Sequence, residues 1–145
     1  DPRSLEVAYE ELCSRLGPAV IVAEMLPGGI ELALGCANDP DYGPLVSIGS
    51  GGTLVELFND RGVALAPFGV ATATRLIKGL RIATLLDGHR GQLKGSIPHL
   101  AQALSRFSVL CAALGTSFTE IDVNPIIVGP DAAVAADALV IGARG

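Results

Sequence analysis

Apolar residues at Leu5, Ala8, Leu12 and Leu16 recur every three or four positions, the spacing of one helix face. They predict a helix from Ser4, a residue able to cap it, to Leu16, where Gly17-Pro18 stops it. Aliphatic runs at Ala19 to Met25 and Ile30 to Ala37, separated by Pro27-Gly28-Gly29, predict two strands. Asn38-Asp39-Pro40-Asp41 is a turn by composition, and Leu45 to Ile48 is a third strand entering Gly49-Ser50-Gly51-Gly52. Val63 to Ala66 predicts a fourth short strand, and the stretches 71–78 and 81–86 predict short helices. The strongest helix is Ser96 to Leu114: Pro98 falls in its first turn, Leu100, Leu104, Phe107, Cys111 and Leu114 line one face, and Gly115 closes it. Phe118 to Val128 and Val134 to Ile141 are the closing strands. Strands, then helices, then a hairpin, with no internal repeat, imply one α+β domain over residues 1–145, a mostly antiparallel sheet layered with helices.

Composition narrows the core. Half of the residues are hydrophobic, but aromatics number only four Phe and two Tyr, so Ala, Val, Leu and Ile must pack closely beside eighteen glycines. The apolar stretch 132–143 is interrupted by Asp137 and falls short of the ~20 residues that span a bilayer, so no membrane partner is expected. No targeting signal is visible, and the first residue is Asp1 rather than Met. The ten Lys and Arg residues are scattered in a chain of net charge -5, which offers nucleic acid no basic face. Cys13, Cys36 and Cys111 are odd in number, far apart and in apolar contexts; they read as buried thiols of a reducing, cytoplasmic setting.

The last hairpin carries the candidate chemistry. In Thr119-Glu-Ile-Asp-Val-Asn-Pro-Ile-Ile-Val128, strand alternation puts Glu120, Asp122 and Asn124 on one face and Ile121 and Val123 on the core face. Gly129-Pro130-Asp131-Ala132 is a turn signal, and a hairpin symmetric about Pro130 and Asp131 sets Asn124 beside Asp137. Oxygen donors of this kind suit Mg²⁺, which takes one or two protein carboxylates and keeps other positions for water and phosphate. A solvated strand face is the alternative. Asp137, embedded among aliphatic residues, is expected to meet a cation or hydrogen-bond donors, because burying a lone carboxylate is costly.

VAEMLPGGIELALG, GPLVSIGSGGTLVELFND, LAPF, LLDGHRGQ and EIDVNPIIV with a later Asp, in this order from about Ser4 to Ile141, resemble the ATP-grasp domain of NDP-forming acyl-CoA synthetases. That group includes ADP-forming acetyl-CoA synthetase and succinyl-CoA synthetase. The resemblance implies an ATP-grasp-like fold with ATP or ADP held between two subdomains. It implies an adenine hinge at Glu24, Met25 and Leu26, whose backbone reads the base edge, and a ribose contact at Glu31. Gly49, Gly51 and Gly52 match the family's glycine-rich loop, where a missing Cβ lets backbone N–H groups approach an anion. Glu56 matches an acid that positions this loop or the metal, and Asn124 and Asp137 match the Mg²⁺ ligands, with Asp122 a direct or water-mediated third. Taken alone, Met25 and Leu26 read as core, Glu31 as a solvated residue and Gly-x-Gly-Gly as a tight turn.

The family's phosphate-contacting lysine lies upstream of the first residue here, so the chain reads as a C-terminal part of an ATP-grasp domain and is expected to be inactive in isolation. Ala64 stands where relatives carry an Arg before Leu-Ala-Pro, which puts a phosphate or inter-domain contact in question. His89 and His99 have no base or orienting acid beside them in sequence, so neither is expected to act as a nucleophile. The leading reading is the ATP-grasp part of an enzyme that interconverts acyl-CoA, ADP and phosphate with acid, CoA and ATP through a phosphohistidine. Its partners would be nucleotide and the CoA-binding and CoA-ligase domains of the parent protein, with self-association expected across the uncovered flank. The competing reading is a non-catalytic regulatory or interaction module, for example within a synthetase-like protein acyltransferase.

Overall fold

The computed structural model describes residues 1–51, 60–88 and 94–143. Helix α1 (Pro2–Leu16) is capped by Asp1 rather than by Ser4: the Asp1 carboxylate accepts from the Arg3 and Ser4 amides at 2.9 and 3.1 Å. An aspartate three residues earlier reaches the unpaired amides of the first turn, and Ser4 donates its hydroxyl to that carboxylate at 2.7 Å. Gly17, at φ 99°, ends the helix, which buries none of its residues. The expected strand Ala19 to Met25 does not form. Residues 19–29 have no regular structure, and Ile21 and Met25 are 95% and 92% exposed. An aliphatic run becomes a strand only where a neighbour completes its ladder, and no described strand pairs with this one.

From Ile30 onward the elements follow the expected order. They are β1 (Ile30–Asp39), β2 (Gly43–Ser50), β3 (Arg61–Leu65), α2 (Val70–Gly79), α3 (Ala83–Leu86), α4 (Ile97–Leu114), a 3₁₀ turn, β4 (Phe118–Val128), β5 (Ala133–Ala135) and β6 (Ala138–Gly142). The turn after β1 is set by Asp39, whose Oδ1 accepts from the Asp41 and Tyr42 amides, both at 2.9 Å. Among the described residues the strands make an antiparallel sheet in the order β3-β2-β1-β4-β5, with β6 also on β4. The single final strand expected over 134–141 is therefore two segments, broken at Ala136-Asp137.

Helices α2 and α4 cover one face of this sheet. Leu100, Leu104, Phe107 and Cys111 of α4 and Ala73 and Ile77 of α2 close over Leu32, Leu34, Val46, Ile48, Ile121 and Val123. By length and composition alone, Ile97–Ser117 could cross a membrane, yet the Leu100–Leu104–Phe107–Cys111 face belongs to the buried core. Ser108, also fully buried, accepts the Phe68 amide at 3.1 Å and lies 2.7 Å from the Ser105 carbonyl, which fastens the loop before α2 to α4. Cys36 and Cys111 are buried as expected; Cys13, on the uncovered α1, is only half-buried. Burial pushes both core thiols up, and a hydrogen bond between them pulls Cys36 partly back while raising Cys111 further, to about 12.

Candidate functional site

The hairpin register is the expected one. Val123 faces Ala138 across β4–β6, and Ile126 faces Ala135 across β4–β5. Asn124 and Asp137 are the next positions in that register, on either side of the break between β5 and β6, and Gly129 N–H closes the turn on Ala132 O at 2.9 Å.

On its other edge β4 pairs with β1 and makes a bulge. Leu32 faces Ile126 and Leu34 faces Val123, so Asn124 and Pro125 together oppose Ala33 alone. The bulge has a packing cause. It lets Ile121 and Val123 before it, and Ile126 and Val128 after it, all reach the helix-covered core, although the two pairs are out of step along the strand. The extra residue leaves Asn124 exposed on the opposite side, with the Ala136 amide held by Pro125 O at 2.9 Å.

That opposite side is an open trough. Alternation brings Arg61, Gly49 and Ala33 into one cross-strand row, and Val63, Ser47, Gly35 and Asp122 into the next. Their small side chains leave a concavity of about 240 Å³ whose lining includes Ala33, Gly35, Ser47, Gly49, Arg61 and Asp122. Glu120 and Asp122 extend to the uncovered face as expected, Asp122 half-buried. Asp137 is exposed, not embedded: β6 is open along its whole length, so the aliphatic neighbours that suggested burial are themselves in solvent. Its Oδ1 accepts the Ala138 amide at 2.8 Å. Two carboxylates and an amide oxygen are hard donors in the number Mg²⁺ takes from protein, so the set fits that ion. Among the described residues no group of three or more His, Cys, Asp or Glu side chains is placed to hold a metal ion.

The glycines serve packing more than loop freedom. Gly49 lies within β2, and a Cβ there would sit 2.8 Å from the Asp60 carbonyl oxygen. A Cβ on Gly51 would sit 2.7 Å from the Leu32 carbonyl carbon, and the Gly51 amide donates to Glu31 O at 3.3 Å. The expected amides free for an anion are thus, at these two positions, strand-like backbone in close contact. Gly52, Glu56 and His89 lie outside the described residues.

At the other end of the same face, Leu26, Pro27, Ile127 and Val134 border an apolar hollow of about 390 Å³. Gly29 holds the hinge against β4, since a Cβ there would meet Ile127 Cγ2 and Val128 O, both at 2.8 Å. Exposed Glu31 pairs with Ile127, a residue of the hollow's lining, but is not itself part of that lining. Glu24 and Met25 are exposed in the irregular segment, which excludes the core reading for Met25; Leu26 alone of the three lines the hollow. Ala64 faces Val46 on the helix side, so the missing arginine would not have pointed into the trough. His99 is exposed, its Nδ1 2.7 Å from Ser96 Oγ.

Sequence reasoning missed Ser47, Gly35 and Arg61 in the trough. The signal was available as small residues at every second position of β1 and β2, Ala33, Gly35 and Ala37 beside Ser47 and Gly49. The bulge was also legible, since the apolar phase of Ile121-Asp-Val-Asn-Pro-Ile-Ile-Val128 slips by one residue at the proline.

Comparison with known proteins places this geometry. A protein-family profile described as ATP-grasp domain matches residues 4–141. The chain is 36% identical over 122 residues to the acetate–CoA ligase (ADP-forming) I subunit beta of Pyrococcus furiosus, covering 84% of this chain and 52% of that subunit. It is 34% identical over 109 residues to the 4-hydroxybutyrate–CoA ligase (ADP-forming) of Nitrosopumilus maritimus, covering 75% of this chain and 16% of the relative. A solved structure of acetyl-coenzyme A synthetase 1 from Ca. Korarchaeum cryptofilum, in complex with coenzyme A and Mg-AMPPCP, superposes at a TM-score of 0.88 with 32% identity, over 99% of this chain and 65% of that one. The chain thus spans about half the length of the Pyrococcus subunit and less of the Nitrosopumilus ligase. With its α+β antiparallel layer and its matched span, the chain belongs to the ATP-grasp domain family, in the group of ADP-forming acyl-CoA synthetases.

Proposed function

We propose that the open face of the sheet binds a magnesium–adenine nucleotide, and that the chain is the nucleotide-handling part of a cytoplasmic ADP-forming acid–CoA ligase. The carrying observation is the bulge at Asn124-Pro125, which sets an exposed amide in register with Asp137 and beside the trough that Asp122 lines. Asn124, Asp137 and Asp122 would hold Mg²⁺, and the ion would supply charge compensation for the phosphates. The hollow beside Leu26, Ile127 and Val134 offers apolar surface to a base, and Glu31, paired with Ile127, offers an acceptor to ribose hydroxyls. The phosphate tail then runs along Ala33, Gly35 and Gly49, beside the Ser47 hydroxyl that lies over Gly35. In the Korarchaeum synthetase a phosphohistidine segment points towards the nucleotide site; a CoA-ligase domain of the parent protein would present the same group here. A purely regulatory module drew part of its support from Ala64, and that position faces the helices.

The test is titration of the chain with ADP, with and without Mg²⁺, followed by amide chemical shifts so that millimolar affinities register. Tighter binding with Mg²⁺, lost in Asn124→Ala and Asp137→Ala variants of unchanged thermal stability, is the expected result. Binding indifferent to Mg²⁺, or equal binding by the variants, would remove the reading.

A further inference from the structure

On the β3 side, across the sheet from the acid and amide set, the trough is lined by Arg61. Three cross-strand spacings of about 4.8 Å separate Arg61 on β3 from the Asn124-Pro125 bulge on β4, roughly 14 Å between backbones. The intervening positions are Gly49 and Ala33, whose side chains are short, with the Asp60 carbonyl oxygen lying over Gly49. Among the described residues that line this concavity, Arg61 is the one Lys or Arg.

Among the described residues no carboxylate forms an ion pair with it, although Asp60 carries a negative charge into the same trough. The adjacent Asp60 carboxylate accepts from the Arg81 and Ile82 amides at 2.9 and 3.0 Å, so it is committed to the start of α3. The ion pair found among the described residues is Arg15–Glu11, on α1. An exposed guanidinium over a glycine floor, facing a cation-binding set across an open channel, is suited to a polyanion lying between the two.

We infer that Arg61 contacts the phosphate tail of the bound nucleotide from the β3 side, opposite the metal-binding residues; this rests on the nucleotide reading above. Arg61 binds charge rather than base, so it favours di- and triphosphates over nucleosides. It supplies at the trough a cation that position 64, facing the helices, would not provide. The alternative role for a charged residue on an edge strand is to keep that edge from pairing with another chain, and this role makes no demand on phosphate.

The test compares wild type, Arg61→Gln and Arg61→Lys in titrations with Mg-ADP, magnesium tripolyphosphate and adenosine, with thermal unfolding run on each. Arg61→Gln is expected to weaken both phosphate ligands about tenfold, leave adenosine unchanged and keep the melting temperature, while Arg61→Lys recovers part of the loss. Wild-type binding of Mg-ADP with no change in Arg61→Gln overturns the assignment and leaves the nucleotide reading standing. An equal loss for adenosine and for the phosphates also overturns it, since the effect then lies in the fold. Failure of the wild type to bind any of the three ligands removes the nucleotide reading and this inference together.

Discussion

Under α2 and α4, Leu32, Leu34, Val46, Ile48, Ile121 and Val123 are sealed from water. One residue away along the same strands, Ala33, Gly35, Ser47, Gly49 and Asp122 border an open trough. The first face is held by volume: every side chain has neighbours on all sides, and the fold stands on that contact. The second face is shaped by what is missing from it, since small side chains and a bulge create room while acids and an amide mark its border. Alternation lets one strand perform both tasks, because successive side chains never compete for the same space. Substitutions on the two faces should then separate stability from binding.

The largest separation is expected at Leu104, fully buried on α4. Leu104→Ala should cost about 2–5 kcal/mol in urea unfolding, through lost burial and a cavity that the sheet cannot fill. A cost below about 1 kcal/mol would mean that the helix-covered face is not the packed side.

A smaller effect follows from the buried thiols. Cys111 is pushed up to about 12 from the ordinary 9.0, and Cys36 is raised as well, so the folded state holds protons that the unfolded chain gives up. The thiols' stabilising contribution is therefore complete below pH 9 and declines as pH rises towards 12. A melting temperature that falls above pH 9, with the fall reduced in Cys111→Ala, is the expected outcome; alkylation at pH 8 should modify Cys13 first. A flat profile would show that these thiols are not sequestered.

The smallest stability effect is expected on the open face. Asp122→Asn should shift unfolding by less than about 0.5 kcal/mol, because the side chain packs against no helix, while it weakens Mg²⁺-dependent nucleotide binding. A large loss of stability would make Asp122 a structural residue and erase the contrast between the faces.

Periodicity located most of this architecture, and its failures share a cause. The helix from Ser96 and the strand from Phe118 were legible because a sustained apolar stripe has one way to become buried. The run Ala19 to Met25 was misread since its apolar residues satisfy a strand pattern while the described structure provides no partner to pair with them. Asp137 was misread in the opposite direction: aliphatic neighbours suggested an interior, but whether a strand is covered depends on distant elements, and no described element covers β6. The register that sets Val123 against Ala138 and Ile126 against Ala135 was legible because a short turn at Pro130-Asp131 leaves few registers that keep Ile121 and Val123 in the core.

The order of residues alone determined the α+β succession, the core stripe of α4, the hairpin register and the polar side of β4, all of which follow from local turn chemistry and from apolar groups avoiding water. Tertiary structure decided the rest: which aliphatic strands were covered, that Gly49 and Gly51 sit in close backbone contact, and that Arg61 and Asp122 line one trough. Such proximity is created by pairing β3, β2, β1 and β4 side by side, and the distance between residues on different strands depends on that pairing rather than on their separation along the chain.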